Sequence, residues 1–370
     1  MPLWDHHCHA LVDTTQRSAM QVFARALTEA PPDYPLEDIH ETVTYWNALN
    51  VAAQHLHVPC NADAVAAALY ASDYAQYCRS LFHEQRYQRL LIDTGYQPRS
   101  AWSLDSLSEH LSLTVNPILR LEALAESLLP TYTSLNEWTE AIGRQLRNAR
   151  KDGYVGVKSI VAYRSGLQIF AVRRDAAEAS LEIMKQTGQS RLTDPVLLNY
   201  LLWTLTPVLI EQNLPLQFHT GYGDPDTDLQ KGNPLLLRDY LREYLPQGLY
   251  VALLHTYPYH REAGYLASVY PHVYFDVSLA LPLAATGGVR IVQEALELAP
   301  VSRFLFASDA HSRPESFYLA AQLWKAGINV FLHQAVQTHG LPASKAERWA
   351  SMICWENCRS LYHLENAIST

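Results

Sequence analysis

The chain has 370 residues, 48% of them hydrophobic and 18% charged, so it can bury one large core or two smaller ones. A formal net charge of -9, without runs of lysine or arginine, argues against nucleic-acid binding, which needs clustered cations. The sequence shows neither a signal peptide nor an apolar run of membrane-spanning length. We therefore expect a cytoplasmic protein acting on a small molecule, with no nucleic-acid or membrane partner and with a homo-oligomer as an open option.

Short apolar segments that end in a polar residue recur along the chain and predict strands. Most of the intervals between them are long enough for a helix, which is typical of a parallel sheet built from βα units. We therefore predict an α/β fold, a single (β/α)₈ barrel over residues 1–370. The predicted strands cover residues 3–9, 89–93, 115–120, 154–160, 215–219, 249–255, 273–278 and 304–309.

The segment from about residue 14 to residue 88 is too long for an ordinary loop between a strand and a helix. It is rich in Ala, Leu, Tyr and Gln, which predicts a helical insertion after the first strand. In a barrel this loop lies on the catalytic face, where a cap over the active site is one role. A packing or dimerisation subdomain is the alternative.

One helix has clear boundary signals in the sequence. Ser134 followed by Glu137 predicts a capping box, and Gly153 predicts the end of the helix before the next strand.

The five cysteines are scattered, and none forms a CxxC pair. This odd number without a paired spacing predicts neither a disulfide framework nor a thiolate zinc site, and it favours a reducing compartment.

The first predicted strand contains the sequence Asp-His-His-Cys-His at residues 5–9. Because side chains alternate along a strand, His7 and His9 project from the same face, where two imidazoles can chelate one cation. A pair of interior or surface histidines is the alternative for this motif alone.

Three further strands end on residues that bind metals. His219 and His255 end the fifth and sixth predicted strands, and Asp309 ends the eighth. Together with the first-strand pair, they place four imidazoles and one carboxylate at the C-terminal mouth of the barrel, where barrel active sites lie. Nitrogen and oxygen donors of this kind suit zinc.

With these residues in place, the sequence resembles the amidohydrolase superfamily. The resemblance is strongest to the amidohydrolase-2 branch, which includes the amidohydrolase-like domain fused to glutamine-synthetase-like proteins. It spans nearly the whole chain except the insertion, and the ordered set of metal-binding residues is specific for the superfamily but silent on substrate. The matching segments are residues 5–9, 156–167, 218–221, 254–255, 307–310 and 356–362.

The resemblance implies one or two divalent metal ions, with zinc favoured. By position, it implies that His7, His9 and Asp309 bind the more buried ion, and that His219 and His255 bind a second ion in binuclear members.

The resemblance also gives a role to Lys158, on the fourth predicted strand. A lysine at this position is carboxylated and bridges the two ions in binuclear members, whereas mononuclear decarboxylase-like relatives usually lack it. Its presence favours two metals, although an unmodified lysine pairing with substrate is the alternative.

A metal ion lowers the pKa of bound water and polarises a carbonyl. We therefore expect a hydrolase that cleaves the C–N bond of an amide or cyclic amide, with Asp309 as general base and then general acid. Two alternatives stay open, a metal-dependent decarboxylase or isomerase on the same scaffold, and a non-catalytic binding module derived from it.

Four residues near the strand ends are candidates for substrate contact. Arg164 and Arg120 carry guanidinium groups that match a carboxylate, although either could pair with an acid such as Glu122 instead. Tyr163 and His311 lie next to predicted metal ligands and are expected to line the pocket, with plain packing as the alternative.

Overall fold

In the computed structural model, which describes residues 1–12, 20–96, 98 and 100–365, seven parallel strands form one sheet in chain order. Each strand pairs with the next one, and every predicted strand from the first to the seventh is present with slightly different ends. The strands are β1 (Leu3–Cys8), β2 (Tyr87–Asp93), β3 (Thr114–Arg120), β4 (Gly156–Ser159), β5 (Leu216–His219), β6 (Val251–Leu254) and β7 (Val273–Phe275).

Residues 304–309, the predicted eighth strand, lie between β7 and β1 and close the curled sheet. The Leu305 N–H donates to the Phe275 carbonyl at 3.0 Å, and the His6 N–H donates to the Phe306 carbonyl at 3.1 Å. The segment has one parallel bridge, at Phe304, rather than a regular ladder. At Ser308 the backbone N–H donates to the buried Asp5 carboxylate instead of to backbone.

The described residues between β1 and β2 form five helices, and residues 14–19, the start of the predicted insertion, lie outside the described residues. These helices are α1 (Met20–Arg25), α2 (Leu36–His40), α3 (Val43–Leu56), α4 (Ala62–Ala71) and α5 (Tyr74–Glu84).

Further helices separate the later strands and follow the closing segment. They are α6 (Leu104–Leu111), α7 (Leu121–Leu128), α8 (Leu135–Asn148), α9 (Val161–Arg164), α10 (Arg174–Gln186), α11 (Pro195–Glu211), α12 (Arg238–Tyr244), α13 (His260–Val269), α14 (Ala280–Ala284), α15 (Gly288–Ala295), α16 (Pro314–His339), α17 (Ala343–Ser351) and α18 (Asn357–Tyr362), with a π-helical turn at Met352–Glu356. No helix among the described residues is long and apolar enough to cross a membrane.

Helix α8 confirms the predicted N-terminal cap. The Ser134 hydroxyl accepts the backbone N–H of Glu137 at 3.2 Å and donates to the Glu137 carboxylate at 3.0 Å. The helix ends at Asn148, and Gly153, with a φ of +90°, follows in the turn before β4.

The interior of the sheet carries polar side chains as well as apolar ones. Asp5, His6 and His7 in β1, and Gln217 in β5, are fully buried. Burying a polar group without a hydrogen-bond partner is costly. These buried side chains therefore need hydrogen-bond partners or a bound ion.

Candidate metal centre

The C-terminal ends of the strands bring the predicted metal-binding residues together, and all of them are buried. Asp309 lies at the centre of this group. Its Oδ1 lies 3.1 Å from His7 Nε2 and 3.2 Å from His9 Nε2, and its Oδ2 lies 3.4 Å from His255 Nδ1. The set comprises His7 in β1, His9 after it, Lys158 in β4, His219 at the end of β5, His255 after β6 and Asp309 in the closing segment.

A register irregularity in β1 aims His7 at this group. A regular strand would send His6 and His7 to opposite faces. The pairing of β1 with β2 shifts between Asp5 and Cys8, and both imidazoles contact interior residues. The buried Asp5 carboxylate accepts the His7 N–H at 3.2 Å, and burial raises the pKa of Asp5 to about 8. Irregularities of this kind are frequent beside active sites because they re-aim a side chain.

Two imidazole nitrogens in the group lack hydrogen-bond partners. Within the described part of the chain, His219 Nε2 and His255 Nε2 are buried and have no hydrogen-bond partner. The rings of His219 and His255 are only 4.4 Å apart, between centroids. An unsatisfied buried polar atom costs about 1–3 kcal/mol, so two such nitrogens side by side fit a bound cation that would accept their lone pairs.

The protonation states also suit a cation. Burial and the nearby Lys158 ammonium lower the pKa of His7 to about 4, and burial holds the pKa values of His219 and His255 well below the usual value. Burial opposes ionisation of Asp309, but the surrounding imidazoles hold its pKa well below the usual range. Neutral imidazoles and an ionised carboxylate are the forms that bind metals.

Two subsets have donor atoms that all lie within 4.8 Å of one another. One is His7, His255 and Asp309, and the other is His7, His9 and Asp93. Asp93, at the end of β2, is absent from the set predicted from sequence. It is a carboxylate at a strand end, the same signal that singled out Asp309.

Lys158 lies inside this group rather than in the helical layer. Its Nζ is 2.9 Å from His7 Nε2 and 3.9 Å from Asp93 Oδ2. Burial lowers the pKa of Lys158, which favours the neutral amine needed for modification.

A cavity of about 680 Å³ opens above these residues. Its wall includes eight residues between positions 21 and 32, in the segment between β1 and β2, as well as the barrel loops. All four residues predicted to contact substrate line it, namely Arg120, Tyr163, Arg164 and His311.

The two arginines have different surroundings. Arg120 donates to Asp93 through Nε at 3.1 Å and through Nη2, and to the Gly95 carbonyl at 3.3 Å. Arg164 has a single ion pair, 3.5 Å from Nη2 to Glu126, and its Nε and Nη1 are buried without hydrogen-bond partners among the described residues. Arg164 is therefore the arginine left to bind an anion.

Neighbouring side chains hold the two predicted pocket-lining rings, Tyr163 and His311. Tyr163 lies on His219, with 4.0 Å between ring centroids. His311 Nδ1 lies 2.9 Å from the Ser312 hydroxyl, and burial lowers the pKa of His311 to about 4. Both side chains are fixed in the wall of the cavity.

Glu29, in the loop after α1, also lines the cavity and was not predicted from sequence. Burial raises its pKa to about 8, with smaller contributions from the charges of Asp309 and Asp224. No motif surrounds this glutamate, so only the folded chain reveals that it faces the site.

The chain matches the family model described as amidohydrolase over residues 137–364. It is 40% identical to a structure from Lactobacillus casei ATCC 334 described as a metal-dependent hydrolase, covering 100% of this chain and 97% of that one with a TM-score of 0.93. It is 28% identical to Protein fluG of Emericella nidulans, covering 98% of this chain but 46% of that protein, so it spans about half the length of this curated relative. A uronate isomerase from Thermotoga maritima, 12% identical with a TM-score of 0.70 over 98% of this chain and 94% of that one, shares the fold.

Proposed function

The chain belongs to the amidohydrolase family, and from this premise we propose that it is a metal-dependent hydrolase cleaving a C–N bond in a small amide or cyclic amide that carries a carboxylate. The observation that carries the proposal is the buried group of imidazoles around Asp309, in which His219 Nε2 and His255 Nε2 lack partners. This arrangement is costly as it stands and favourable once a cation is bound.

The donor set fits one or two divalent ions of the zinc type. His7, His9 and Asp309 would hold the first ion, and His219 and His255 the second. A divalent ion held there supplies Lewis-acid polarisation of a carbonyl and acidifies water.

The chain's own residues would handle the proton. Asp309 is ionised and lies within 3.4 Å of three imidazoles, so it can accept a proton from the attacking water and deliver it to the leaving nitrogen. Burial lowers the pKa values of His7 and His255, so these two imidazoles are neutral near neutral pH and do not compete as acids.

Arg164 would bind the substrate carboxylate, because its guanidinium lacks full pairing in the cavity wall. Arg120 donates to Asp93, so it would contribute positive charge to the pocket rather than a free pair of N–H groups. Tyr163 and His311 would shape the pocket beside the reacting bond. The segment 14–88 would serve as a specificity cap, which is supported by the eight residues between positions 21 and 32 in the cavity wall.

Metal content and turnover together test this function. We expect one to two equivalents of zinc or a related ion per chain, and hydrolysis of at least one member of a panel of carboxylated amides and lactams. His7→Ala should lose metal and activity, whereas the exposed His83→Ala should keep both. Absence of metal after reconstitution would exclude a metal-dependent enzyme, and bound metal without turnover of any substrate would favour a binding module.

A non-hydrolytic isomerase or decarboxylase is the second candidate, favoured by the contact of Lys158 with His7. An unmodified Lys158 ammonium, 2.9 Å from His7 Nε2, adds a positive charge beside the predicted ligands. This charge would repel a second cation, so an unmodified lysine suits a single ion. If Lys158 is instead carboxylated and bridging, Lys158→Ala should lower the metal content from two towards one, and a short carboxylic acid should restore it. If Lys158→Ala leaves two ions and full activity, the bridging role is wrong.

A further inference from the structure

The wall of the cavity above the candidate metal centre carries charges of both signs. A polar ligand that fills the cavity must match these charges, and the pairs already formed within the protein show which of them are left for it. The cations of the wall are Arg25, Arg120, Lys158, Arg164 and Arg191, and the carboxylates are Glu29, Asp224, Asp226 and Asp309.

Four of the five cations have partners within the protein, and the fifth keeps free donors. Arg164 has a side chain only 9% exposed, and its Nε and Nη1 have no hydrogen-bond partner among the described residues. Arg164 can therefore receive an anionic group of the ligand, as the proposed function requires. The other pairs are Arg25 with the carbonyl oxygens of Pro31 and Tyr34, Arg120 with Asp93, Lys158 with His7 and Asp93, and Arg191 with Asp226.

Glu29 is a carboxylate of the wall that none of these five cations pairs with, within the part of the chain that the structure describes. It is partly buried in the loop after α1. The wall cation nearest to it in sequence, Arg25, donates to two backbone carbonyl oxygens instead, at 3.2 and 2.5 Å. Burial, with smaller effects from the charges of Asp309 and Asp224, raises the pKa of Glu29 to about 8, as expected for a carboxyl that no cation neutralises.

Glu29 and Arg164 reach the cavity from different sides of the barrel mouth. Glu29 follows β1, whereas Arg164 lies on α9 directly after β4, and β2 and β3 separate these two strands in the sheet. Asp309, from the closing segment, lines the same cavity. A ligand that contacts both Glu29 and Arg164 therefore spans the mouth above the candidate metal centre, with its positive and negative groups apart.

The surroundings of Glu29 suit an organic cation. Tyr96 and Tyr163 line the same cavity. Burial raises the pKa of Tyr96 and of Tyr222, and the charge of Glu29 adds to the effect in both, so these phenol groups lie within reach of its charge. Aromatic rings attract ammonium groups through their faces. A substrate hydroxyl could share a hydrogen bond with Glu29 but would not balance its charge.

We propose that Glu29 is a specificity-determining residue that binds an ammonium group of the substrate, so that the substrate is an amide with an ammonium on one side of the scissile bond and a carboxylate on the other. The inference rests on the proposed function, which assigns the scissile bond to the metal centre and the carboxylate to Arg164. It narrows the substrate class from carboxylated amides to zwitterionic ones, such as dipeptides with a free amino terminus. Hydrogen bonds between opposite charges are about twice as strong as those between neutral groups, so this contact can decide specificity.

Matched pairs of compounds test the proposal on the zinc-loaded protein. Alanylglycine carries both charges, and propionylglycine is the same molecule without the amino group. Hydrolysis of the two amides gives kcat/KM for each, and further dipeptides with their deaminated counterparts extend the series to other side chains. In the ketomethylene analogues of each pair a CH₂ group replaces the amide nitrogen, so calorimetry gives Kd without hydrolysis.

We expect the wild type to prefer the member with the ammonium by about 10- to 100-fold in kcat/KM and in Kd, the range of one charge-assisted hydrogen bond. Glu29→Gln keeps the shape of the side chain but carries no charge, so it should lose this preference. Glu37→Gln is the matched control and should keep it, because Glu37 is exposed on α2 of the same segment and lies outside the cavity wall. Thermal unfolding of both variants reports on folding.

Equal affinity and turnover for both members of every pair in the wild type, or an unchanged preference in Glu29→Gln, would overturn the proposal. Failure of all the ketomethylene analogues to bind would overturn it as well. If Glu29→Gln does not fold, Glu29→Asp withdraws the carboxylate by one methylene and should reduce the preference, and an unchanged preference there would count equally against the proposal. Preferential binding of the zwitterionic analogues without hydrolysis of any amide would instead refute the proposed hydrolase and support the ammonium site.

Discussion

At the scale of single residues, the site depends on which charged groups have partners. Arg120 and Asp93 form an ion pair with each other, so each of these charges already has a partner within the protein. Arg164 and Glu29 both line the cavity, and Nε and Nη1 of Arg164 have no hydrogen-bond partner among the described residues. Substitution of these two residues should therefore change binding and titration more than folding.

Arg164→Lys should raise KM or lower kcat/KM for an anionic substrate by roughly 10- to 100-fold, because lysine keeps the charge but loses the bidentate donor pair. Metal content should not change. The exposed Arg174→Lys on α10 is the control and should leave the kinetics unaltered. Steady-state kinetics with an anionic substrate and its neutral ester would check this, and equal loss for both would argue against a carboxylate contact.

Glu29 predicts a pH-dependent stability. With a folded pKa of about 8 against an ordinary 4.5, the folded state holds the Glu29 proton more tightly. This contribution is present below about pH 4.5 and is lost as pH rises towards 8. Metal-free wild type should therefore lose stability relative to Glu29→Gln between pH 5 and pH 8 in urea unfolding. A difference that does not vary with pH would show that the Glu29 pKa is ordinary.

At the scale of elements, the turns after the strands fix the side chains predicted to bind metal. Asp309 has a left-handed φ of +52°, and its N–H donates to the His7 carbonyl at 3.0 Å. Gly221 follows β5 with a φ of +67°, where a Cβ would meet the Tyr257 carbonyl oxygen at 2.2 Å. Backbone geometry at these turns therefore aims the imidazole of His219 and the carboxylate of Asp309.

Gly221→Ala should destabilise the protein and reduce its metal content, because the β5 turn must move and His219 moves with it. Gly188→Ala is the matched control, with a φ of +66° and no atom within 4 Å of the added Cβ. The control should cost only about 1 kcal/mol in urea unfolding, the strain of a left-handed alanine. Equal effects of the two substitutions would mean that the contact with Tyr257 is unimportant.

At the scale of the whole molecule, the candidate metal centre joins elements that are distant in the chain. The predicted ligand set draws on β1, β4, β5, the residue after β6 and the closing segment. A bound ion should therefore stabilise the complete barrel rather than one part of it.

Zinc should raise the unfolding temperature of the metal-free protein, and chelation should reverse the change. A free metal concentration about 100 times Kd contributes about 2.7 kcal/mol. Calorimetric scans of metal-free, zinc-loaded and chelator-treated protein would measure this. The absence of any shift in a protein that holds zinc would mean that the ion lies outside the folded core.

The sequence by itself predicted the alternation of strands and helices and the residues at the strand ends, because both depend on local patterns. An apolar strand ending in His219, or a Ser134 cap before an apolar stripe, is encoded within a few neighbouring positions. The first-strand pair of His7 and His9 was visible for the same reason. The sequence therefore located the mouth of the barrel before any contact was known.

The tertiary structure decided which side chains have partners. Gln217 and Asp276 have no motif, and their hydrogen-bond partners lie up to 270 residues away in the chain. The register irregularity in β1 and the free donors of Arg164 likewise depend on neighbours distant in sequence. Local patterns cannot encode such contacts, because a hydrogen bond is directional and its partner is chosen only when the chain has folded.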